Sequence, residues 1–270
     1  THLSSARATE LMARAGDTKW EYPFGITFPG FYALMATAHM SQFGTTREQL
    51  SMVSVKNHKY GAMNPYAHLQ KVITLEEAMK SVVISYPLNL YDCCLISDGA
   101  AAVVLANEER SKQMNDTPIW IEGLGAASDA MLISERPTLT GLTGSRLAAE
   151  EAYRMAGITA KDVDVAEVHD CFTIAEIMAY EDLGFCEKGE GGRFIEEGES
   201  YIGGRTPVNV DGGLKSKGHP LGATGVSMAV EITKQLRGEA DNRQVSGAEI
   251  GLSHNVGETG QFAFVHIYVR

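Results

Sequence analysis

From residue 97 onward the chain alternates short apolar runs with helix-forming stretches that stop at glycine, and this alternation constrains the fold more than any other feature. Residues 100–106 form a continuous apolar run suited to a buried strand, and 119–124 form another, overlapping the glycine-rich 123–125. Residues 145–156 carry good helix formers with an acidic middle and lead to Gly157, where a left-handed C-terminal cap belongs. Residues 163–168 read as a buried strand, and 173–183 as a helix ended by Gly184. Residues 222–237 read as a helix stopped by Gly238, with two last strands at 249–253 and 261–269. The acid- and glycine-rich 187–204 reads as an exposed loop. Strands and helices in alternation predict an α/β layered domain over roughly 97–270.

Residues 1–95 are of another kind. Trp20, Tyr22, Phe24, Phe28, Phe31 and Tyr32 sit among Pro23, Pro29 and Gly25. Residues 31–43 contain no breaker and predict a helix, and Thr45-Thr46-Arg47-Glu48 resembles the N-cap turn of a second. Asn64-Pro65 marks a turn, because the proline pushes Asn64 away from helical geometry. This segment is expected to be mostly helical and loop-rich.

The 270 residues carry 23 Lys and Arg against 34 Asp and Glu, a net charge of −11, so the surface repels polyphosphate and nucleic acid is not an expected partner. No apolar run approaches the ~18 residues of a membrane span, and no signal-peptide pattern opens the chain. The four cysteines, Cys93, Cys94, Cys171 and Cys186, are too few for a disulfide framework and point to a reducing, cytoplasmic setting. Nothing gathers Cys and His at zinc-site spacing, so no metal is expected.

Three histidines stand where strands meet turns, the places where α/β folds keep their sites. His169-Asp170-Cys171-Phe172 lies between a strand and a helix, and Gly218-His219-Pro220-Leu221-Gly222-Ala223-Thr224-Gly225 runs into a long helix. His254-Asn255-Val256-Gly257-Glu258-Thr259-Gly260 reads as a turn between two strands. His219 has the chemistry to take a proton from a thiol or to donate to an oxyanion. A cysteine at a helix N-terminus beside an imidazole should have its thiolate favoured, which would make Cys171 a base or nucleophile; the alternative is a small buried hydrophobe. Lys215 and Lys217 form a local positive spot in an acidic chain, the alternative being two solvated loop lysines.

Taken together and in order, these motifs resemble the thiolase superfamily, within it the sterol-carrier-protein (lipid-transfer) type. Asn209-Val210-Asp211-Gly212-Gly213, Lys56-Asn57-His58 with Asn64-Pro65, and Ser97-Asp98-Gly99-Ala100-Ala101 are further family-like markers. The resemblance implies a thiolase fold, five-layered α/β/α/β/α when complete. Residues 1–95 would be its loop domain, 96–115 the last strand and exit of the N-terminal domain, and 116–270 the C-terminal domain. It implies coenzyme A thioesters as substrates, no permanently bound cofactor, and acyl transfer through a cysteine followed by carbon–carbon bond formation or thiolysis.

On that resemblance His219 looks like the histidine that activates the nucleophile and lines an oxyanion hole. His169 looks like the replacement for an asparagine that holds a water there, and Cys171 like the acid/base for the α-proton. His254 stands where ordinary thiolases keep a cysteine acid/base. Lys215, Ser216 and Lys217 are expected to contribute to coenzyme A binding with the loop domain, because the two lysines put clustered positive charge beside a catalytic-looking motif. A homo-oligomer and a small OB-fold partner with a zinc ribbon are implied as associates. No cysteine matches the family's nucleophile, so the 270 residues alone are expected to be inactive. A retro-aldol lyase of the same superfamily and a non-catalytic scaffold subunit are the alternative readings.

Overall fold

The computed structural model describes residues 3–114 and 116–270; residues 1, 2 and 115, at the edges of two of the expected segments, lie outside the described residues. The first segment holds α1 (Ser5–Ala13), α2 (Phe28–Phe43), α3 (Arg47–Gly61), α4 (Leu75–Lys80) and a two-stranded ladder, β1 (Val83–Ser85) with β2 (Leu88–Asn89). Helix α2 begins earlier than its breaker-free run because Pro29 falls in the first turn, where a missing N–H costs nothing. It stops at Gly44, in the left-handed region at φ 78°. Thr46 and Gln49 close a capping box at the start of α3, satisfying backbone donors that the helix itself leaves open.

Next come α5 (Glu108–Met114), β3 (Trp120–Ser128), α6 (Thr143–Ala156), β4 (Val165–Val168), α7 (Thr173–Asp182) and α8 (Gly191–Glu196). The chain closes with α9 (Gly213–Ser216), α10 (Thr224–Arg237), β5 (Ile250–Gly257) and β6 (Phe262–Val269). The sheet order is β3-β6-β5-β4, antiparallel except for the parallel β4–β5 pair that the α10 crossover requires. Helix α6 packs on one face across β3 and β6, and α10 covers β4 and β5 on the other. The approach of α6 is set by Gly125, where a Cβ would stand 1.8 Å from the Ala148 carbonyl oxygen. Helix α7 is buried nearly all round among α2, α3, α6 and α8, with its buried Glu176 and Glu181 paired to Lys56 and His39.

Three expectations are corrected. Residues 100–106 are not a strand: no described residue pairs with them, so they stay irregular, and Val104 is 84% exposed. A strand needs a ladder partner to satisfy its backbone, and apolar content does not supply one. Residues 187–204 are not an exposed loop, since α8 lies within them and buries Phe194 and Ile195. Glycine permits this, because a Cβ on Gly191 would meet the Ile177 carbonyl oxygen at 2.5 Å. Residues 254–257 are not a turn but the end of β5, and the turn occupies 258–261.

Candidate active site

Parallel pairing of Val168 with His254 ends β4 beside the middle of β5, so His169 emerges next to His254. Gly218 and His219, on the turn between α9 and α10, bring a third imidazole: the His169 and His219 rings meet edge to face at 5.0 Å. The structure therefore assembles the three histidines expected from sequence. All three are held below their usual pKa by burial, His219 and His254 to about 4. The neighbouring imidazoles add to the effect at His169, and the Lys217 ammonium adds to it at His219. They are neutral at pH 7 and ready to accept hydrogen bonds or protons.

The hydrogen bonds of His219 fix its tautomer. The Thr224 hydroxyl donates to the Pro220 carbonyl, so its oxygen accepts from His219 Nδ1–H at 2.7 Å. Nε2 is left as the bare acceptor, the arrangement a thiol-deprotonating base needs. His254 Nε2 lies 2.8 Å from the Ser145 hydroxyl on α6. His254 Nδ1 and His169 Nδ1 are buried with no partner among the described residues.

Cys171, two residues beyond His169, is not in the expected state. Burial pushes its thiol up to about 12, although the Tyr32 hydroxyl and Lys215 act the other way. Removal from water outweighs the helix terminus, so the resting group is a protonated acid and not a preformed thiolate. Its carbonyl accepts from Cys94 N at 2.8 Å, and Phe172 bridges Cys93 antiparallel.

The alternative of two solvated loop lysines at residues 215 and 217 is corrected. Lys215 is 1% exposed and its ammonium donates to the Asp92 carbonyl. The Ser216 hydroxyl donates to the Leu69 carbonyl at 2.6 Å, and Lys217 pairs with Asp211 at 2.5 Å. Asp211 is buried, which opposes its charge, yet Lys217 holds its carboxyl below the usual value. An internal acid or carbonyl engages each polar group, because an unpaired buried charge costs far more than a paired one.

Sequence reading passed over the groups that hold the cluster in place. Asp170 accepts from Leu214 N and from Asn57 Nδ2, both at 2.7 Å, which ties the turn after β4 to α9 and to α3. Burial, reinforced by Glu176, raises its carboxyl to about 6. Gly213, at φ 55°, must lack a side chain here: a Cβ would stand 2.4 Å from Asp170 Oδ2. Glu176 on α7 accepts from Asn57 Nδ2 and Asn209 Nδ2, each at 2.7 Å, and pairs with fully buried Lys56 at 2.9 Å. Asn209, at φ 55°, accepts from Val168 N at 2.8 Å. The markers Lys56-Asn57-His58, Asn209-Val210-Asp211-Gly212-Gly213 and His169-Asp170-Cys171-Phe172 contained most of these residues without giving them this role, and Glu176 lay outside all of them. Among the described residues no cluster of three or more acidic, His or Cys side chains is placed to hold a metal. No helix in them is long and apolar enough to cross a membrane.

The lowered histidines predict a pH effect. A histidine kept neutral in the fold but protonated when unfolded costs stability as pH falls from about 6.5 towards its folded value, at about 1.4 kcal/mol per unit. His254→Gln removes one such penalty. The variant should be less stable at pH 7, and the gap should narrow by about that slope between pH 6.5 and 4.5 in urea denaturation. A gap independent of pH would mean that His254 is not the buried neutral group described.

Comparison with known proteins places the chain. A family described as "Thiolase C-terminal domain-like" matches residues 125–270. The chain is 50% identical over 262 residues to an acetyl-CoA acetyltransferase of Methanothermobacter thermautotrophicus, which covers 97% of this chain and 68% of that protein. It is 40% identical over 241 residues to sterol carrier protein 2 of Bos taurus, 86% of this chain and 44% of that protein. The solved structure of an Ltp2-ChsH2(DUF35) aldolase superposes with a TM-score of 0.84 at 30% identity, over 93% of this chain and 65% of that one.

Proposed function

Since the chain belongs to the thiolase family, of the sterol-carrier-protein type, we propose that it supplies the acid/base and oxyanion half of an acyl-CoA acyltransferase site. The observation that carries the reading is the neutral His219, with its bare Nε2, meeting His169, which also has His254 as a neighbour and stands two residues before Cys171. In this reading His219 takes the proton of an acyl-accepting thiol. His169 and His254 then polarise the thioester oxygen, directly or through a held water. Cys171 moves the α-proton of the thioester as the carbon–carbon bond forms or breaks. Coenzyme A thioesters are the substrates, and no bound cofactor is required.

In the same reading residues 1–95 act as the loop domain and 116–270 as the C-terminal domain, working as a homo-oligomer. The acyl-accepting thiol is not one of the four cysteines here. Burial raises all four, Cys93 to about 11, Cys171 and Cys186 to about 12, and Cys94 further. A nucleophile needs the opposite shift. Incubation of the 270-residue chain with radiolabelled acetyl-CoA should leave no covalent acyl group, while a protein of its relatives' full length should label stoichiometrically. Labelling of any of the four cysteines would overturn the assignment.

The aldolase neighbour at a TM-score of 0.84 supports a second reading, retro-aldol cleavage with a DUF35-type partner. Thiolysis consumes free coenzyme A for each bond broken and retro-aldol cleavage does not, so coenzyme A dependence separates the two.

A further inference from the structure

Tyr32, on α2, comes from the aromatic-rich first segment and is fully buried. Its ring stacks on Phe172 with centroids 4.6 Å apart and planes 24° from parallel. Its hydroxyl has no hydrogen-bond partner of standard geometry among the described residues, and the protic group it faces is the Cys171 thiol. Behind it stands Arg136, whose guanidinium donates to the Thr259 carbonyl (2.7 Å), the Thr259 hydroxyl (2.9 Å) and the Ala130 carbonyl (3.0 Å). The Cys171-Phe172 backbone is therefore pinned by residues 93–94, and the Phe172 ring is stacked against Tyr32.

The geometry points to Tyr32 as the positioning residue that makes Cys171 usable: its hydroxyl is the donor that holds the Cys171 thiolate before that sulfur takes the α-proton and after it has given one back. A buried hydroxyl without a partner forfeits a hydrogen bond, and a thiolate forming against it would restore one. The order of proton loss suits the role. Burial raises Tyr32 well above the ordinary phenol value, the Cys171 contact raises it further, and the same contact lowers the thiol. The phenol keeps its proton while the thiol yields one. The other groups facing this pair are Lys215 from α9, which favours the thiolate, Asp170 on the same turn, which opposes it, and Cys94 and Arg136 beside the phenol.

This inference rests on Cys171 being the acid/base, and its test does not need turnover. Alkylation by iodoacetamide proceeds through the thiolate, so its rate at pH 8.5 reports the thiolate fraction of each cysteine, counted by peptide mass spectrometry. Tyr32→Phe keeps the stacked ring and removes the donor. It should slow Cys171 alkylation about tenfold, the size of one charge-assisted hydrogen bond, and leave Cys186 unchanged. Replacing Tyr32 by 3-fluorotyrosine, a stronger donor, should speed it. In the full-length protein Tyr32→Phe should lower kcat and leave KM unchanged. A Cys171 rate unmoved by both substitutions overturns the inference, whatever Cys171→Ala does to catalysis.

Discussion

Cys171→Ala, in a protein carrying the residues its archaeal relative has beyond these 270, should abolish exchange of the acetyl-CoA methyl protons with heavy water, a loss of about 10²–10⁴-fold. Carbon–carbon bond formation should fall with it. Acylation of the nucleophile should survive, because that step uses the bare Nε2 of His219 and not the Cys171 thiol. His219→Ala should impair both steps. The prediction follows from position and protonation together. Burial holds the Cys171 thiol near 12, so it stays protonated until a partner stabilises its charge, and a thiol this basic is a competent acceptor once ionised. Methyl exchange at the wild-type rate in Cys171→Ala would move the base elsewhere. His254 would be the next residue to replace, since it lies in the same cluster with an unpartnered Nδ1.

The largest effect on stability is expected at Lys56. Its ammonium and the Glu176 carboxylate are both fully buried at 2.9 Å, and Glu176 also receives Asn57, Asn209 and the Tyr180 hydroxyl. Lys56→Met leaves the carboxylate buried without its cation, a change that costs about 3–5 kcal/mol. For a chain of this size that lowers the melting temperature by about 10 °C. Lys56→Met combined with Glu176→Gln removes the unpaired charge while keeping an acceptor for the two asparagines, so it should recover part of the loss. Equal melting temperatures for the single and double variants would show that the charge is not what holds α3 to α7. Asp170 hangs on the same network through Asn57, so the single variant should also loosen the His169–Cys171 turn.

The sequence by itself determined what local chemistry determines. Gly157 and Gly238 end α6 and α10 as read, each in the left-handed region, because the cap conformation excludes most other side chains. The order β3, α6, β4, α7, α10, β5, β6 followed from apolar period and breakers, and His169 and His219 were legible at a strand end and a turn, whereas His254 stands inside β5 and not in the turn expected for it. Tertiary structure decided the rest. Residues 100–106 have the content of a strand but no partner among the described residues to make them one, and residues 187–204 look solvent-loving but fold onto α7 through Gly191. Lys215 and Lys217 read as surface charge, whereas carbonyls and carboxylates distant in sequence draw them inside. The thiol of Cys171 and the role of Tyr32 depend on 139 residues of separation closing to a contact. Propensity, caps and turns are properties of neighbours along the chain. Burial, pairing and protonation belong to neighbours in space, and the sequence does not display those until it has folded.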